Sequence, residues 1–390
     1  MYTAIHQFEP LLPTSGLAAL SEPARAIIDR SVELKRGAHP DTLNALRELV
    51  RSMNSYYSNR IEGQGTHPRN IERALRQDFS ERPDIARLQR IAVAHIAAER
   101  DLEQRLATLN PRSSSLAIAA HQALYSRLEP VDRTTPDGQV VDPGRLRTAD
   151  VDVGHHLPPT HTSVPAFLAR MDEVYARPLG AQDELIATAC LHQRLAWVHP
   201  FLDGNGRATR LQTHCALFGI SGGLWSPNRG LARQQGDYYA ALANADQPRM
   251  GDHDGRGNLS AKMLHAWCEF FLAVCADQVT FMSRMLDVTQ MRKRLQILMI
   301  VLGKDDTNLS EKLAGPLHYV FLAGRVPRGL FQQMTGASDR TASRQLAALL
   351  KTGLLVSDSR VAPVRMGFPL AHLAILLPEL YPEAAASFEA

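Results

Sequence analysis

Apolar residues recur along this chain at intervals of three and four, and strict alternation is rare, so the pattern predicts a mainly α-helical protein. After an arm and a short helix over 1–40, Leu43, Leu46, Val50, Met53 and Tyr57 mark one face of a helix. Asp41 behind Pro40 is its N-cap, and Gly63 is its stop. Ile71, Leu75 and Phe79 predict the next helix, and Ile85, Leu88, Ile91, Ala92 and Ile96 the one after. His95 falls on the apolar side of the latter and reads as a hydrogen-bonded core histidine. Further helices are predicted over 116–128, 164–177 and 259–286. Residues 184–198, with Leu191, Leu195 and Val198 and apolar residues between them, read as a helix buried nearly all round. Leu211, Cys215 and Phe218 repeat that spacing, so another helix starts near Gly206.

Two stretches break the helical rhythm. Residues 129–165 are rich in Pro, Gly, Asp and Thr. Asp137-Gly138 is a hairpin signal there, and 144–147 and 151–154 alternate like short strands. From about residue 291 the composition shifts. Residues 329–335, the turn Gly336-Ala337, and 338–352 with Ser338 as N-cap read as a helix-turn-helix, and 354–356 with 361–366 as a two-stranded wing. Arg340, Arg344 and Lys351 fall on the second helix, and Arg360 and Arg365 on the wing. The expected organisation is a helical region over 1–110, a central domain over 111–290 and a winged-helix domain over 291–390.

Composition narrows the class. The chain has 390 residues and a formal net charge of +3, which does not argue for whole-molecule binding to nucleic acid or membrane. There is no uncharged apolar run long enough to span a bilayer, and residues 1–10 lack a signal-peptide pattern. Cys190, Cys215, Cys268 and Cys275 all sit in apolar helical stretches and read as reduced core residues of a cytoplasmic protein.

The chemistry gathers between the two central buried helices, in His199-Pro200-Phe201-Leu202-Asp203-Gly204-Asn205-Gly206-Arg207-Ala208-Thr209-Arg210. Gly204, Asn205 and Gly206 can adopt crowded backbone angles, so successive N–H groups can converge on an anion at a helix start. Arg207 and Arg210, three apart, share one face of that helix. Asp203 is a lone carboxylate suited to Mg2+ that keeps its waters and phosphate ligands. His199 can accept a proton near neutrality. Phe201 pins the loop to the core. Together these make a nucleotide site without a Walker-type lysine loop.

At every defined position this string resembles the Fic family signature H-P-F-x-[DE]-G-N-G-R-x-x-R. Ser58-Asn59-Arg60-Ile61-Glu62-Gly63 resembles the family's inhibitory motif [ST]-x-x-x-E-[GN], and its place ahead of the loop suggests a class II member. The resemblance implies a Fic-fold helical core with a β-hairpin flap, and transfer of AMP from ATP, with Mg2+, onto a Ser, Thr or Tyr hydroxyl of a protein. His199 would be the catalytic base, with Asp203 on the metal and Gly204, Asn205, Gly206, Arg207 and Arg210 on the phosphates. Ser58, Glu62 and Gly63 would form the brake, Glu62 pairing with Arg210.

Val153-Gly154-His155-His156-Leu157-Pro158-Pro159 is similar to the end of the family's flap, which docks the target over 144–159 and lies along the nucleotide. Tyr238 and Tyr239 would contact base or ribose, and Asn244 the ribose. A metal site from His155, His156 and His161 is the competing reading of the flap, but no spaced carboxylate or cysteine completes it. Two functional alternatives stand beside transfer: AMP removal, with Glu62 positioning water, and a nucleotide-sensing DNA-binding regulator. Contact with DNA or protein through 329–366 and a homodimer are further expectations; a membrane partner is not.

Overall fold

A computed structural model describes residues 2–154 and 156–381. It is mainly helical, and in chain order the helices are α1 (Leu17–Arg36), α2 (Pro40–Ile61), α3 (Pro68–Leu75), α4 (Pro83–Arg105), α5 (Ser114–Tyr125), α6 (Val164–Tyr175), α7 (Ala181–Val198), α8 (Asn205–Ser221), α9 (Asn228–Arg233), α10 (Gln235–Ala245), α11 (Ala261–Met285), α12 (Val288–Leu302), α13 (Ala314–Ala323), α14 (Arg328–Met334) and α15 (Asp339–Lys351). Strands β1 (Leu355–Val356) and β2 (Arg365–Met366) and helix α16 (Leu370–Leu376) follow. The strands pair antiparallel, Leu355 opposite Met366 and Val356 opposite Arg365. No described helix is long and apolar enough to cross a membrane.

Helix α7 is the central rod. Its side chains from Leu185 to Leu195 are all buried, and the larger polar ones among them, His192, Gln193 and Arg194, hydrogen-bond inside the protein. It packs against α8, α11, α1 and α6. Cys190 and Cys268 meet across the α7–α11 contact at 3.4 Å, and all four cysteines are free and buried. The first residues are more than an arm. Phe8 is fully buried, edge-on to Phe167 at 4.8 Å and beside Trp197 at 5.7 Å, and Pro10 O accepts from Arg194 at 2.8 Å.

Several boundaries differ from those read off the sequence. Helix α1 is 20 residues long although Pro23 lies inside it, because Leu20, Ala24, Ile27 and Leu34 still find one buried stripe. Helix α2 starts at Pro40, with the His39 ring accepting from Asp41 N at 3.2 Å, so His39 and not Asp41 is the N-cap. Helix α3 ends at Leu75, leaving Phe79 outside it.

The strands expected at 144–147 and 151–154 do not form. Only single bridges occur, Thr134 to Val140 around the Asp137-Gly138 turn and Val153 to His156. Arg147 explains part of this. Its N–H and Nε are committed to the carbonyls of Pro200 and His199 in the central loop, and the rest of its guanidinium to those of Ala149 and Pro159, bonds that do not build a hairpin ladder.

The C-terminal elements share the main core with α2 and α11. Thr42 Oγ1 donates to Phe321 O at 2.8 Å, and Tyr57 OH to Leu380 O at 3.0 Å. The boundary read from composition at 290/291 falls inside α12.

Candidate nucleotide site

His199 ends α7 in the left-handed region, φ 49° and ψ 62°, its N–H closing on Leu195 O at 3.1 Å. A helix end usually gives this conformation to glycine. A histidine held there, with Pro200 next to prevent continuation, is the kind of local strain that clusters at functional sites. The following loop is braced from three sides. Phe201 is buried and stacked on His121 at 4.0 Å. Asn205 Oδ1 accepts from Phe201 N at 2.8 Å while its Nδ2 donates to Phe201 O at 2.9 Å. Arg147 Nε donates to His199 O at 2.8 Å.

Gly204 then opens α8 with φ 78°, and a Cβ there would lie 2.3 Å from the Tyr125 hydroxyl. Among the described residues, the backbone N–H groups of Asn205, Gly206 and Arg207 find no acceptor. They form a helix start open to an anion.

The two motif arginines are held differently. Arg207 donates to Tyr125 OH at 2.6 Å and Gln64 Oε1 at 2.9 Å, and lies 3.3 Å from Asp203. Arg210 is only 1% exposed and reaches α2. Its Nε donates to Ser58 Oγ at 2.9 Å, and its Nη2 to Ser58 O at 3.1 Å and Glu62 Oε1 at 2.5 Å. Four residues apart on a helix, Ser58 and Glu62 thus grip one guanidinium. Glu62 caps α2, and Gly63 with φ 70° turns the chain away.

The carboxylate is planted directly over the anion turn: a Cβ on Gly206 would meet Glu62 Oε1 at 2.2 Å. Burial works to raise the Glu62 pKa, but Arg210 and then Arg207 outweigh it and hold the carboxyl below its ordinary range.

A cavity of about 560 Å³ opens onto this turn, lined by Glu62, His199, Gly206, Arg210, Tyr239 and Asp246 among others. Burial first, then the neighbouring His156, lowers His199 to about 4, so it is neutral at physiological pH and able to take a proton. Behind the lining, Thr213 OH donates to Thr209 O, so His192 Nδ1–H donates to Thr213 and its Nε2 accepts from Tyr238 OH at 2.9 Å. Tyr238 is therefore a pinned core tyrosine at the cavity edge, whereas Tyr239 is 46% exposed, its ring 5.3 Å from that of Tyr238 and its hydroxyl donating to Ile61 O at 3.2 Å.

Most of the residues singled out in the sequence converge here, with exceptions. Val153 and His156 line the cavity, and His156 Nε2–H donates to Trp197 O at 2.7 Å. Gly154 is exposed and off the lining. His155 lies outside the described residues. Asn244 faces solvent, for a geometric reason: Tyr239, Leu242, Ala243 and Asp246 follow an i, i+3, i+4, i+7 stripe into the cavity, and position 244 is rotated about 140° from Tyr239.

Sequence reading missed Asp246, which burial raises to about 7 and which accepts from Gln193 at 2.6 Å. It also missed Tyr125, His121 and Tyr2. The first two sit on an ordinary core helix and the last in a terminal arm, and nothing in their local sequence marks them out.

For a cation, Asp203 is a partial fit. Its side chain is 49% exposed, and Oδ2 already takes Tyr125 OH at 2.8 Å and Arg207, leaving Oδ1. One free carboxylate oxygen suits Mg2+ that brings water and phosphate as its other ligands. A second group with ligand-like spacing, Glu99, Glu103 and His214, lies in the core, where these side chains bond one another.

With this geometry in place, comparison with known proteins is informative. Residues 111–217 match the Fic/DOC family. The chain is 28% identical over 200 residues to a protein adenylyltransferase Fic of Nematostella vectensis, covering 49% of this chain and 42% of that one. It is 38% identical over 116 residues to protein adenylyltransferase fic-1 of Caenorhabditis briggsae, 30% of this chain and 22% of the relative. It thus spans less than half the length of these relatives. Among solved structures, a Fic family protein from Desulfovibrio desulfuricans G20 superposes with a TM-score of 0.51 at 18% identity, over 92% of this chain and 98% of that one. Fic-1 of C. elegans gives 0.51 at 19%, over 69% and 72%. The fold is therefore shared well beyond the matched segment, and residues 111–217 of the chain carry a Fic/DOC domain.

Proposed function

We propose that this protein transfers AMP from ATP to a hydroxyl of a protein, and that Glu62 holds it in a slow resting state. The observation that carries the reading is the convergence on one cavity wall of a neutral His199, the open N–H groups of 205–207 and Arg210, with Glu62 seated over Gly206. In this reading His199 takes the hydroxyl proton, and the freed oxygen attacks the α-phosphorus as pyrophosphate departs. The turn N–H groups and Arg207 steady the charge that develops on the phosphate oxygens. Mg2+, held in part by Asp203, would neutralise phosphate charge when bound. Tyr239 supplies a face for the base.

Arg210 is the ligand for the terminal phosphate, and Glu62 occupies both that arginine and the space above the turn. ATP must displace the carboxylate to seat fully. Val153 and His156 border the same opening, which supports docking of the target along 144–159.

The direct test is incubation of the Glu62→Gly protein with labelled ATP and candidate target proteins. Label should appear on protein and should vanish with His199→Ala. Absence of label on any protein, the chain itself included, with ATP bound to the variant, would refute the reading. AMP removal, the reading in which Glu62 positions water, is tested with the unsubstituted protein, which keeps Glu62, by following AMP release from an AMP-modified protein.

A further inference from the structure

Charge is distributed unevenly along this chain. Residues 324–366 hold seven arginines and lysines against two carboxylates, Asp339 and Asp358, while the chain as a whole is only +3, so the remainder is net acidic. Within that segment the structure sorts the cations into paired and unpaired. Asp358 is bound by Arg325 at 3.0 Å and Arg365 at 3.1 Å. Arg328 turns to the carbonyls of Ser359 and Ala362, at 2.9 and 3.0 Å, tying α14 to the β1–β2 loop. Lys351 lies in the field of Asp306. Arg340, Arg344 and Arg360 are exposed and, among the described residues, have no ion-pair partner.

The placement of these three has a pattern. Helix α15 buries Ala342, Leu346, Ala348 and Leu349, and its other side presents Arg340, Arg344, Ala347 and Lys351. Steps of four, three and four keep those positions in one stripe. Ala347 puts a bare methyl in the middle, so the helix axis can approach a surface closely between long cationic arms. Gln332 donates to Ser343 at 3.0 Å and fixes α14 against α15. The β1–β2 loop carries Arg360 and, next to it, Val361 at 88% exposed.

We infer that this face binds duplex DNA, with α15 in the major groove and the 357–363 loop on flanking phosphates. A groove about 12 Å wide admits one helix, and the second helix of a helix-turn-helix is the one that enters. A protein partner is disfavoured by the absence of an apolar centre on α15. Of the large exposed apolar residues here, Ile297, Ile300, Val301, Tyr319 and Leu322 belong to α12 and α13, Leu330 to α14 and Val361 to the β1–β2 loop, and none is on α15. The inference does not depend on the proposed transfer activity.

The test uses the full chain and a labelled mixed-sequence duplex of about 24 base pairs, roughly two turns, read by fluorescence anisotropy between about 50 and 200 mM salt. Binding should weaken steeply with salt, log K falling by about 0.9 per tenfold salt for each phosphate neutralised. R340A/R344A should weaken binding about tenfold or more and flatten that slope by about 2. R340K/R344K, which keeps the charge, should keep most of the slope. Both substitutions are on an exposed face, and circular dichroism checks that each variant is folded. The inference is overturned by no duplex binding at the lowest salt, by wild-type binding of R340A/R344A, or by equal binding of heparin and duplex. Loss of a co-purifying protein with R340A/R344A, without any duplex binding, would reassign the face to protein docking.

Discussion

Helix α8 carries two sets of charges one turn apart, and they are built for different ends. At Arg210 the partner is Glu62, a side chain 30% exposed at the cavity lip on the residue that caps α2. At His214 the partners are Glu103 at 2.9 Å and Glu99 at 3.4 Å, with side-chain exposures of 6% and 0%. Asn54, one turn before Ser58 on α2, donates to Glu99 at 2.9 Å, and Arg51 pairs with Glu103. Helices α2 and α8 are thus joined twice, once by a direct contact that solvent and ligand can reach and once by a sealed set that runs through Glu99 and Glu103 of α4. In the proposed reading Glu62 is a releasable brake, which requires that the helices beneath it stay put, and the sealed set is suited to hold them.

Five substitutions break or sharpen the contrast. The largest effect should come from the cavity side. In a Glu62→Gly background, His199→Ala should lower transfer by about 10^2- to 10^4-fold with ATP binding and melting temperature nearly unchanged; labelled-ATP incorporation checks it. The unsubstituted His199, already neutral well below its ordinary pKa, should give a transfer rate without an inflection near pH 6.5.

His214→Ala attacks the sealed set and should act on the fold. Leaving buried carboxylates without their partner costs about 3–5 kcal/mol, read as a lower urea midpoint. A wild-type midpoint would remove the distinction between the two sets.

Glu62→Gly should do the reverse, moving activity and sparing stability. If the half-open pair is worth about 1.4–2.8 kcal/mol, transfer should rise by roughly 10- to 100-fold. Arg210→Ala in that background should erase the gain. Equal rates for wild type and Glu62→Gly across ATP concentrations would make the contact scaffold.

The smallest effect is a pH dependence. Burial raises Glu99 to about 7, against the pull of His214. A group raised in the folded state holds an extra proton between its unfolded and folded pKa values, so its stabilising contribution is complete below about 4.5 and is lost as pH rises through 7. Glu99→Gln should remove that loss. The melting temperature of wild type relative to Glu99→Gln should fall from pH 5.5 to pH 8, and a constant difference would show that Glu99 keeps no proton.

Most of the site lay in view in the sequence because its parts are contiguous. A buried helix, a twelve-residue polar loop and a second buried helix leave few places for His199, Asp203, Arg207 and Arg210 to go. The α2 partner was also legible, since Ser58 and Glu62 share a face and Gly63 ends the helix. Periodicity likewise gave the mainly helical class. His95 shows the limit of such reasoning. It is fully buried as its position requires, yet neither ring nitrogen finds a hydrogen bond among the described residues, and burial pushes it down to about 3.

What only the tertiary structure decided is whatever depends on rotation about a helix or on contacts distant in sequence. Asn244 and Asp246 are two residues apart, and 200° of helical rotation separates solvent from cavity. Nothing local tells which of the two faces inward, because the neighbour that defines the inside is α7. Local alternation over 144–154 pointed to strands, but Arg147 is bound to the carbonyls of a loop some fifty residues on, and that distant demand overrides the local preference. Whether Glu62 reaches Arg210 at all was a matter of where α2 packs, fixed by apolar burial along its whole length and by the C-terminal elements against its back. A sequence sets which groups can react. Packing sets which of them meet, because burial energy is gathered over whole helix faces and a single polar contact must accept the register those faces impose.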